Sequence, residues 1–175
     1  MLFRSALSQI ATEPGPIAGR KIGIIADAGA DLAGIGKIRQ AVAKLGATAL
    51  VIAPVGGVLG SGGNTQTVDR TLLTTRSVEF DALVVAGGNT PTGDIKLTVL
   101  LQEAFRHCKP MGAWGDGTVI LEAAGIFAGA PGVVTSDTAG KSFNEQLAAA
   151  VGLHRAWDRA PAVMASAVPP VPTSR

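Results

Sequence analysis

The sequence predicts an α/β domain in which helices cover both faces of a mostly parallel β-sheet. Short apolar runs recur along the chain and alternate with longer segments whose apolar residues have helical spacing, a pattern typical of consecutive βαβ units. The composition agrees, because 47% of the 175 residues are hydrophobic and only 16% are charged, against about a quarter in an ordinary globular domain. A chain of this length suits one domain with a substantial core.

The clearest unit is the first strand, helix and strand. Residues 22–26 are a continuous apolar run, which is typical of a central parallel strand buried on both faces. Residues 31–46 place apolar side chains three and four positions apart and end at a glycine, so they predict an amphipathic helix with the inner face Ile35, Ile38, Val42 and Leu45. Residues 49–53 are the second strand, and the crossover between the two strands is expected to be right-handed.

Two less regular segments follow the second strand. Residues 55–67 are rich in glycine and predict a hairpin or a loop, since neither the dinucleotide fingerprint nor the P-loop spacing is met. Residues 71–80 are expected to pack four apolar side chains onto the sheet: Leu72, Leu73, Val78 and Phe80.

The remaining elements repeat the alternation of strand and helix. Strands are predicted at residues 82–86, 111–114 and 132–135, and helices at residues 94–107, 119–124 and 142–151. Asp94 is the expected N-cap of the first of these helices, and Ser142 with Glu145 matches a capping box at the last. The complete order of elements predicts a flavodoxin-like three-layer sandwich.

The domain itself is predicted to occupy residues 20–157. Residues 1–19 include two prolines around a glycine and indicate an extended connector. Residues 158–175 are rich in proline and are expected to form a disordered tail.

Charge and cysteine content argue against several classes of function. The formal net charge is only +2 and there is no run of basic residues, so nucleic acid is not an expected partner. No apolar stretch reaches the ~18 residues of a membrane span, so no membrane partner is expected. The single cysteine cannot form an internal disulfide and no signal peptide is recognised, which together indicate a reducing cytoplasm.

The candidate active site is the strand–turn–helix of residues 109–124, because this arrangement is the frame of a nucleophile elbow. Gly115 and Asp116 occupy the turn, where neither cysteine nor serine is present. Polar residues at the same edge of the predicted sheet are Asp27, Asp31, Asn89, Asp116 and Thr118. Two converging carboxylates could raise one another's pKa and provide an acid or a base. We favour the alternative that Asp31 and Asp116 cap their helices, because no nucleophile, metal cluster or cofactor motif accompanies them.

The only cysteine and the two histidines are weaker catalytic candidates. Cys108 precedes the strand of the elbow, whereas sites in open parallel sheets lie at the carboxyl ends of the strands. We therefore expect Cys108 to be a small buried hydrophobe. His107 is expected to complement the dipole at a helix end, and His154 to be structural.

The elbow and the architecture resemble the PfpI and class I glutamine amidotransferase superfamily. Members carry a cysteine on the elbow, and the PfpI branch has an acidic residue after the first strand. Gly115 stands in the position of that cysteine, so the resemblance does not transfer nucleophilic catalysis. Asp31, or alternatively Asp27, approximates the acidic position.

A closer resemblance is to the C-terminal domain of large-subunit monofunctional catalases. It rests on the runs GRKIGIIADAGAD, TLLTTRSVEFDALVVAGG, EAFRHCKPMGAWGDG and LEAAGI, the last followed two residues later by GAPGVV, and on the connector ALSQIATEPGPIAGR. It covers about residues 6–160. The resemblance implies a cytoplasmic haem catalase with tetrameric long subunits, whose core would precede residues 1–19. The expected partners are that catalase core and the other subunits of a homotetramer.

The resemblance also implies that no cofactor is held by this chain itself. In that family a proximal tyrosine holds the haem iron and lies in the core domain, and this chain contains no tyrosine. The expected function is therefore a non-catalytic accessory domain of a peroxide-dismutating catalase that supports assembly or stability, with chaperone-like protection as an extension. The alternatives are a PfpI-like hydrolase or glyoxalase using Cys108 or Asp116, and a small-molecule binder using Asn89, Asp116 and Thr118.

Overall fold

A computed structural model describes residues 10–90 and 93–160 and contains one main sheet of six strands and a separate two-stranded hairpin. The strands are β1 Lys21–Ile25, β2 Thr48–Ala53, β3 Gly57–Ser61, β4 Asn64–Val68, β5 Arg70–Thr71, β6 Ala82–Val85, β7 Met111–Trp114 and β8 Val133–Ser136. The main sheet has the order β5-β2-β1-β6-β7-β8, and every neighbouring pair in it is parallel.

Four α-helices cover the two faces of the main sheet. They are α1 Leu32–Ala43, α2 Ile95–Arg106, α3 Gly117–Ala123 and α4 Lys141–Gly152. The apolar sides of α1 and α4 share one hydrophobic cluster with the sheet, whereas those of α2 and α3 belong to the cluster on the opposite face. This arrangement confirms the prediction of a flavodoxin-like three-layer sandwich.

The central strands β6 and β7, and β1 after Lys21, are apolar and buried because both faces of the sheet are covered. In β1, Ile24 packs in the cluster with α1 and α4, while the next residue, Ile25, packs in the cluster with α2 and α3. In β6, Val84 and Val85 divide in the same way. Successive side chains of a strand point to opposite faces, so a strand covered on both sides needs apolar residues at every position.

The buried side of α1 contains three of the four residues predicted for it, Ile35, Ile38 and Val42. Asp31 is its N-cap, with the side chain accepting a hydrogen bond from the backbone N–H of Gly34. The helix ends at Ala43 and the chain turns through Gly46, which has a positive φ of 77°. Leu45 lies in this turn and is exposed, so the prediction that it belongs to the buried face is wrong.

The segment between β2 and β6 departs most from expectation. The glycine-rich stretch forms the antiparallel β3–β4 hairpin, and it is followed by the unpredicted two-residue strand β5 at the edge of the sheet. Leu72 and Phe80 are buried as expected, but Leu73 and Val78 are 64% and 82% exposed. A short 3-10 turn at Ser77–Glu79 carries Val78 outwards. The prediction that Leu73 and Val78 pack onto the sheet is therefore wrong.

The capping predictions for α2 and α4 have different outcomes. Asp94 caps α2 by accepting from the backbone N–H of Lys96 at 2.8 Å. The N-cap of α4 is Gly140, two residues before the expected Ser142, so Ser142 falls inside the first turn. The Ser142 hydroxyl accepts from the Gln146 side chain, and the expected capping box with Glu145 is therefore wrong.

Both ends of the described chain pack on the domain. Ile17, in the expected connector, is buried in the cluster with α1 and α4, so the connector contributes to the core. Trp157–Arg159 form a 3-10 turn and Arg159 is buried, which contradicts a disordered tail that begins at residue 158. Residues 1–9 and 161–175 lie outside the described residues. Within the described ranges, no helix is long and apolar enough to cross a membrane.

Candidate functional site

The carboxyl edge of the sheet brings together the polar residues expected there. Asp27 follows β1, Asn89 follows β6 and Asp116 follows β7, and these three strands are neighbours in the sheet. Hydrogen bonds join the three loops directly, so the predicted convergence is real. The partners of each side chain determine what the site can do.

Asp27 and Asn89 bind each other's loops. The backbone N–H of Asp27 donates to Asn89 Oδ1 at 2.6 Å, and the backbone N–H of Thr90 donates to Asp27 Oδ2 at 2.7 Å. Asp27 Oδ1 accepts from the backbone N–H of Gly29 at 2.7 Å. The buried amide nitrogen of Asn89 donates to the carbonyls of Ile25 and Ala86. The oxygens of Asp27 and the amide of Asn89 are therefore occupied in fastening two loops together.

Asp31 is a helix cap with a second structural contact. Its Oδ1 accepts from the backbone N–H of Gly34 at 2.9 Å, and its Oδ2 accepts from the buried indole Nε1 of Trp114 at 3.0 Å. The backbone N–H of Asp31 also donates to the carbonyl of Gly87 at 2.7 Å. The residue that approximates the acidic position of the PfpI branch thus joins α1 to β7 and to the loop after β6.

The elbow has the backbone of a nucleophile turn. Gly115 has φ of 56°, and a Cβ added there would meet no atom closer than 3.5 Å, the distance to the carbonyl oxygen of Asp137. The Thr118 hydroxyl donates to the carbonyl of Gly115 at 2.8 Å and so stays within the turn. The left-handed backbone conformation of such a turn is present, but glycine adopts it without strain and the position holds no side chain.

Asp116 does not cap α3, which corrects the expected role. Although Asp116 precedes the helix, its side chain makes no capping hydrogen bond. Its Oδ1 instead accepts from the backbone N–H of Gly88, in the loop after β6. Asp116 therefore joins the elbow to the neighbouring loop and is a bridging residue.

The loops after β1 and β6 close the crevice between them by backbone contact. A Cβ on Gly29 would lie 2.7 Å from the carbonyl oxygen of Gly88, and a Cβ on Gly88 would lie 2.4 Å from the carbonyl oxygen of Gly29. Gly88 also has φ of 77°, a conformation that favours glycine. A cavity of about 300 Å³ lies beside Asp27 under the β3–β4 hairpin, and neither Gly115 nor Asp116 lines it.

Cys108 and the two histidines lie away from this edge. Cys108 is buried just before the amino end of β7, and His107 is the C-cap residue of α2. His154 Nδ1 lies 2.7 Å from Arg20 Nη1, and burial followed by the nearby Arg155 and Arg20 guanidinium groups lowers the pKa of His154. In the part of the chain that the structure describes, no three His, Cys, Asp or Glu side chains are grouped to hold a metal ion.

Two buried cations at the amino edge were not anticipated from the sequence. Lys109 and Arg159 are each only 4% exposed. Lys109 Nζ donates to the carbonyls of Ser77 and Phe80, and Arg159 Nη2 donates to the carbonyl of Lys109 while its guanidinium stacks 4.3 Å from the Phe105 ring. Burial lowers the pKa of Lys109 and brings that of Arg159 down to about 10. Charged residues are rarely buried, so composition gives no signal for such positions.

Comparison with known proteins identifies the family. A family model described as the C-terminal domain found in long catalases matches residues 18–161. Catalase HPII of Mycobacterium avium is 37% identical over 174 residues, which cover 88% of this chain and 24% of that catalase. A catalase of Alkalihalophilus pseudofirmus is 36% identical over 157 residues, covering 88% of this chain and 23% of the relative.

A third relative, Catalase HPII of Pseudomonas aeruginosa, is 33% identical over 165 residues, covering 91% of this chain and 23% of that catalase. The chain thus spans about a quarter of the length of the curated relatives that it matches. Because the family model extends over most of the sequence, the chain belongs to the family of C-terminal domains found in long catalases.

Proposed function

We propose that this chain is a non-catalytic accessory domain of a large-subunit catalase and that it supports the assembly and stability of the enzyme. The observation that carries the proposal is the elbow, where Gly115 leaves no side chain to attack a substrate. The acids around it support the same conclusion, because Asp27, Asp31 and Asp116 all accept hydrogen bonds from the chain itself. The hydrolase alternative lacks a nucleophile here, since Cys108 lies beside the opposite edge of the sheet.

The parent reaction is proposed to be the dismutation of hydrogen peroxide at a haem in the preceding core, within a cytoplasmic homotetramer. The residues of this chain do not fit haem ligation. There is no tyrosine to serve as the proximal ligand of the family, His154 Nδ1 faces an arginine, and Cys108 is buried. We therefore assign haem binding and peroxide chemistry to the core and none of their steps to this domain.

An apolar patch on the α2 side supports a role in assembly. Leu73 and Ile95 are 64% and 69% exposed, and Val99 is also exposed. These three side chains line a cavity of about 310 Å³ whose floor includes the buried Leu72 and Leu100. Clustered apolar side chains around a depression are typical of protein interfaces. We propose that this patch packs against the catalase core or a neighbouring subunit, and that chaperone-like protection would use the same surface.

The first test is the reading frame upstream of Met1. We expect a catalase core in frame with this chain, and that polypeptide is the material for the second test. A stop codon in that frame without an adjacent catalase core contradicts the proposal.

The second test replaces Leu73 and Ile95 together by serine in the core-linked catalase. We expect faster loss of tetramer and of peroxide dismutation on heating, with unchanged haem content at low temperature, because the interface loses apolar area. Size-exclusion chromatography after heating and oxygen evolution measure the effect. Val58→Ser, which changes an exposed apolar residue on the separate hairpin, is the matched control. Equal heat stability of the double variant and the control would count against an assembly role for this patch.

A further inference from the structure

A groove between α1 and α4 has a surface that the domain itself does not explain. Lys37, Ala41, Lys44 and Leu45 line one side, and Lys141, Asn144, Glu145 and Ala148 line the other. The first set has helical spacing along α1 and the turn that follows it, and the second has the same spacing along α4, so two stripes face each other. The small side chains of Ala41 and Ala148 leave a space of about 650 Å³ between the helices. This groove lies on the opposite side of the sheet from the patch of Leu73, Ile95 and Val99.

The charges around the groove favour an acidic occupant. Three lysines and a single glutamate line it, and Glu145 Oε1 is 3.7 Å from Lys141 Nζ. Both members of that pair are largely exposed, so their interaction is weak and Lys141 stays available to another carboxylate. An occupant with two or three acidic side chains would therefore find complementary charge.

The interior of the groove favours a polypeptide with apolar side chains. Leu45 is exposed along it, and the two alanines add further apolar surface. The groove thus matches a segment that carries both carboxylates and an apolar anchor.

The connector determines where such a segment would come from. Pro14, Gly15, Pro16 and Ile17 line a smaller cavity that also includes Leu45 and Ala148, two residues of the groove. The backbone N–H of Gly15 donates to the carbonyl of Gly152 at the end of α4. The connector therefore passes beside the groove at Leu45 and Ala148, and a core tethered to it would have a raised effective concentration there.

We propose that the groove between α1 and α4 is the docking site for an acidic, apolar-anchored segment of the catalase core that precedes the connector. The proposal rests on the proposed accessory function and adds the surface and the chemistry of the contact. Lys37, Lys44 and Lys141 bind the carboxylates of the segment, and its apolar side chain packs against Leu45 between the alanines. The groove and the apolar patch then hold the domain from opposite sides of the sheet.

The experiment is lysine acylation followed by mass spectrometry, applied to the 175-residue chain and to the core-linked catalase. We expect the reactivity of the three groove lysines to fall about tenfold or more in the core-linked protein. A tenfold fall corresponds to a docked state favoured over the open state by about 1.4 kcal/mol. Lys21, an exposed lysine at the amino edge of the sheet, is the control and is expected to keep its reactivity. Unchanged reactivity of the groove lysines in the core-linked protein overturns the inference.

A pair of substitutions connects the protection to the charges. In the core-linked Lys37→Gln, Lys141→Gln double variant, Lys44 is expected to regain the reactivity that it has in the 175-residue chain. The Lys21→Gln control is expected to leave Lys44 protected. Protection of Lys44 that persists in the double variant overturns the inference, as does protection that grows with concentration in the 175-residue chain, since a second copy would then be the occupant.

The outcomes separate this inference from the proposed function. If the Leu73 and Ile95 variant lowers heat stability but the groove lysines remain reactive, the accessory role stands and the groove inference is wrong. If the Leu73 and Ile95 variant is as heat-stable as the Val58→Ser control and the groove lysines also remain reactive, both proposals are wrong.

Discussion

At the scale of single residues, the informative side chains are the ionisable groups that the fold has buried. His154 has a positive φ of 67° and lies beside Arg20, which in turn contacts Asp81 at 2.9 Å. Because Arg20 is a donor, His154 Nδ1 must accept, and protonation of the imidazole would remove that acceptor. Asp81 is partly desolvated, but its hydrogen bonds from the Lys21 backbone and from Arg20 outweigh this effect and lower its pKa.

The pKa of His154 predicts the direction of acid sensitivity. Its folded-state pKa lies below the usual 6.5. As the pH falls from about 6.5 through the folded-state pKa, the unfolded chain binds more protons than the folded chain, so the stability of the fold decreases. We expect His154→Asn, which tolerates a positive φ, to show a smaller loss of Tm between about pH 7.5 and about pH 5 than the parent. Thermal unfolding followed by circular dichroism measures it.

The control for that prediction is the other histidine. His107→Asn changes the exposed C-cap residue of α2 and is expected to leave the loss of Tm at acidic pH as it is in the parent. An equal change of slope in both variants would show that the contact with Arg20 is not the cause.

At the scale of elements, the main feature is the contact between the loops after β1 and β6. Gly29 and Gly88 meet backbone to backbone, and the hydrogen bonds of Asp27, Asn89 and Asp116 join the same loops. This contact positions the elbow and fills the crevice in which an open parallel sheet ordinarily binds its ligand.

The Gly88→Ala variant tests how much the contact stabilises the domain. The new Cβ would lie 2.4 Å from the carbonyl oxygen of Gly29 at a residue with positive φ. We expect a loss on the order of 1–3 kcal/mol in the free energy of unfolding, measured by urea denaturation. Gly62→Ala is the matched control, because Gly62 has φ of 65° but no atom within 4 Å of its added Cβ. A loss no greater than that of the control would mean that the loops separate readily.

The main elements were largely predictable because β1, β2, β6 and β7 each contain a continuous apolar run and each long helix has an apolar face. Strand β5 was not predictable, since Arg70–Thr71 is too short and too polar to give a pattern. Leu73 and Val78 were assigned to the core because apolar character alone does not show whether a side chain is buried by its own domain or left for a partner.

The candidate site was predictable in location but not in its contacts. Strand ends and helix starts place Asp31 and Asp116 at one edge from local sequence alone. The partner of Asp116 is a backbone N–H after a different strand, so only the assembled sheet reveals it. Lys109 and Arg159 are held by carbonyl groups that no side-chain pattern reports.

At the scale of the whole molecule, the chain corresponds to about a quarter of its catalase relatives. The apolar patch and the lysine-lined groove lie on opposite sides of the sheet, which is the arrangement that the proposed contacts with a catalase core require. Without a catalase core, this chain is expected to lack the peroxide dismutation that we propose for the parent enzyme.

Haem reconstitution of the 175-residue chain tests this expectation. We expect no stable Soret band and no oxygen evolution from hydrogen peroxide, because the proximal tyrosine of the family is not in this sequence. The core-linked catalase, reconstituted in parallel, is the positive control. A stable Soret band with oxygen evolution from the chain alone would refute the assignment of the chemistry to the core.

The geometry around Gly115 also has a consequence for engineering this fold. A cysteine at this position would meet only ordinary van der Waals contacts at its Cβ, although φ of 56° strains any side chain there. One substitution could therefore place a nucleophile on the elbow. The meeting of Gly29 and Gly88 is different, because reopening the crevice requires the loops after β1 and β6 to change together. Remodelling both loops, more than adding a side chain at Gly115, is therefore the main step in building a ligand crevice at this edge of the sheet.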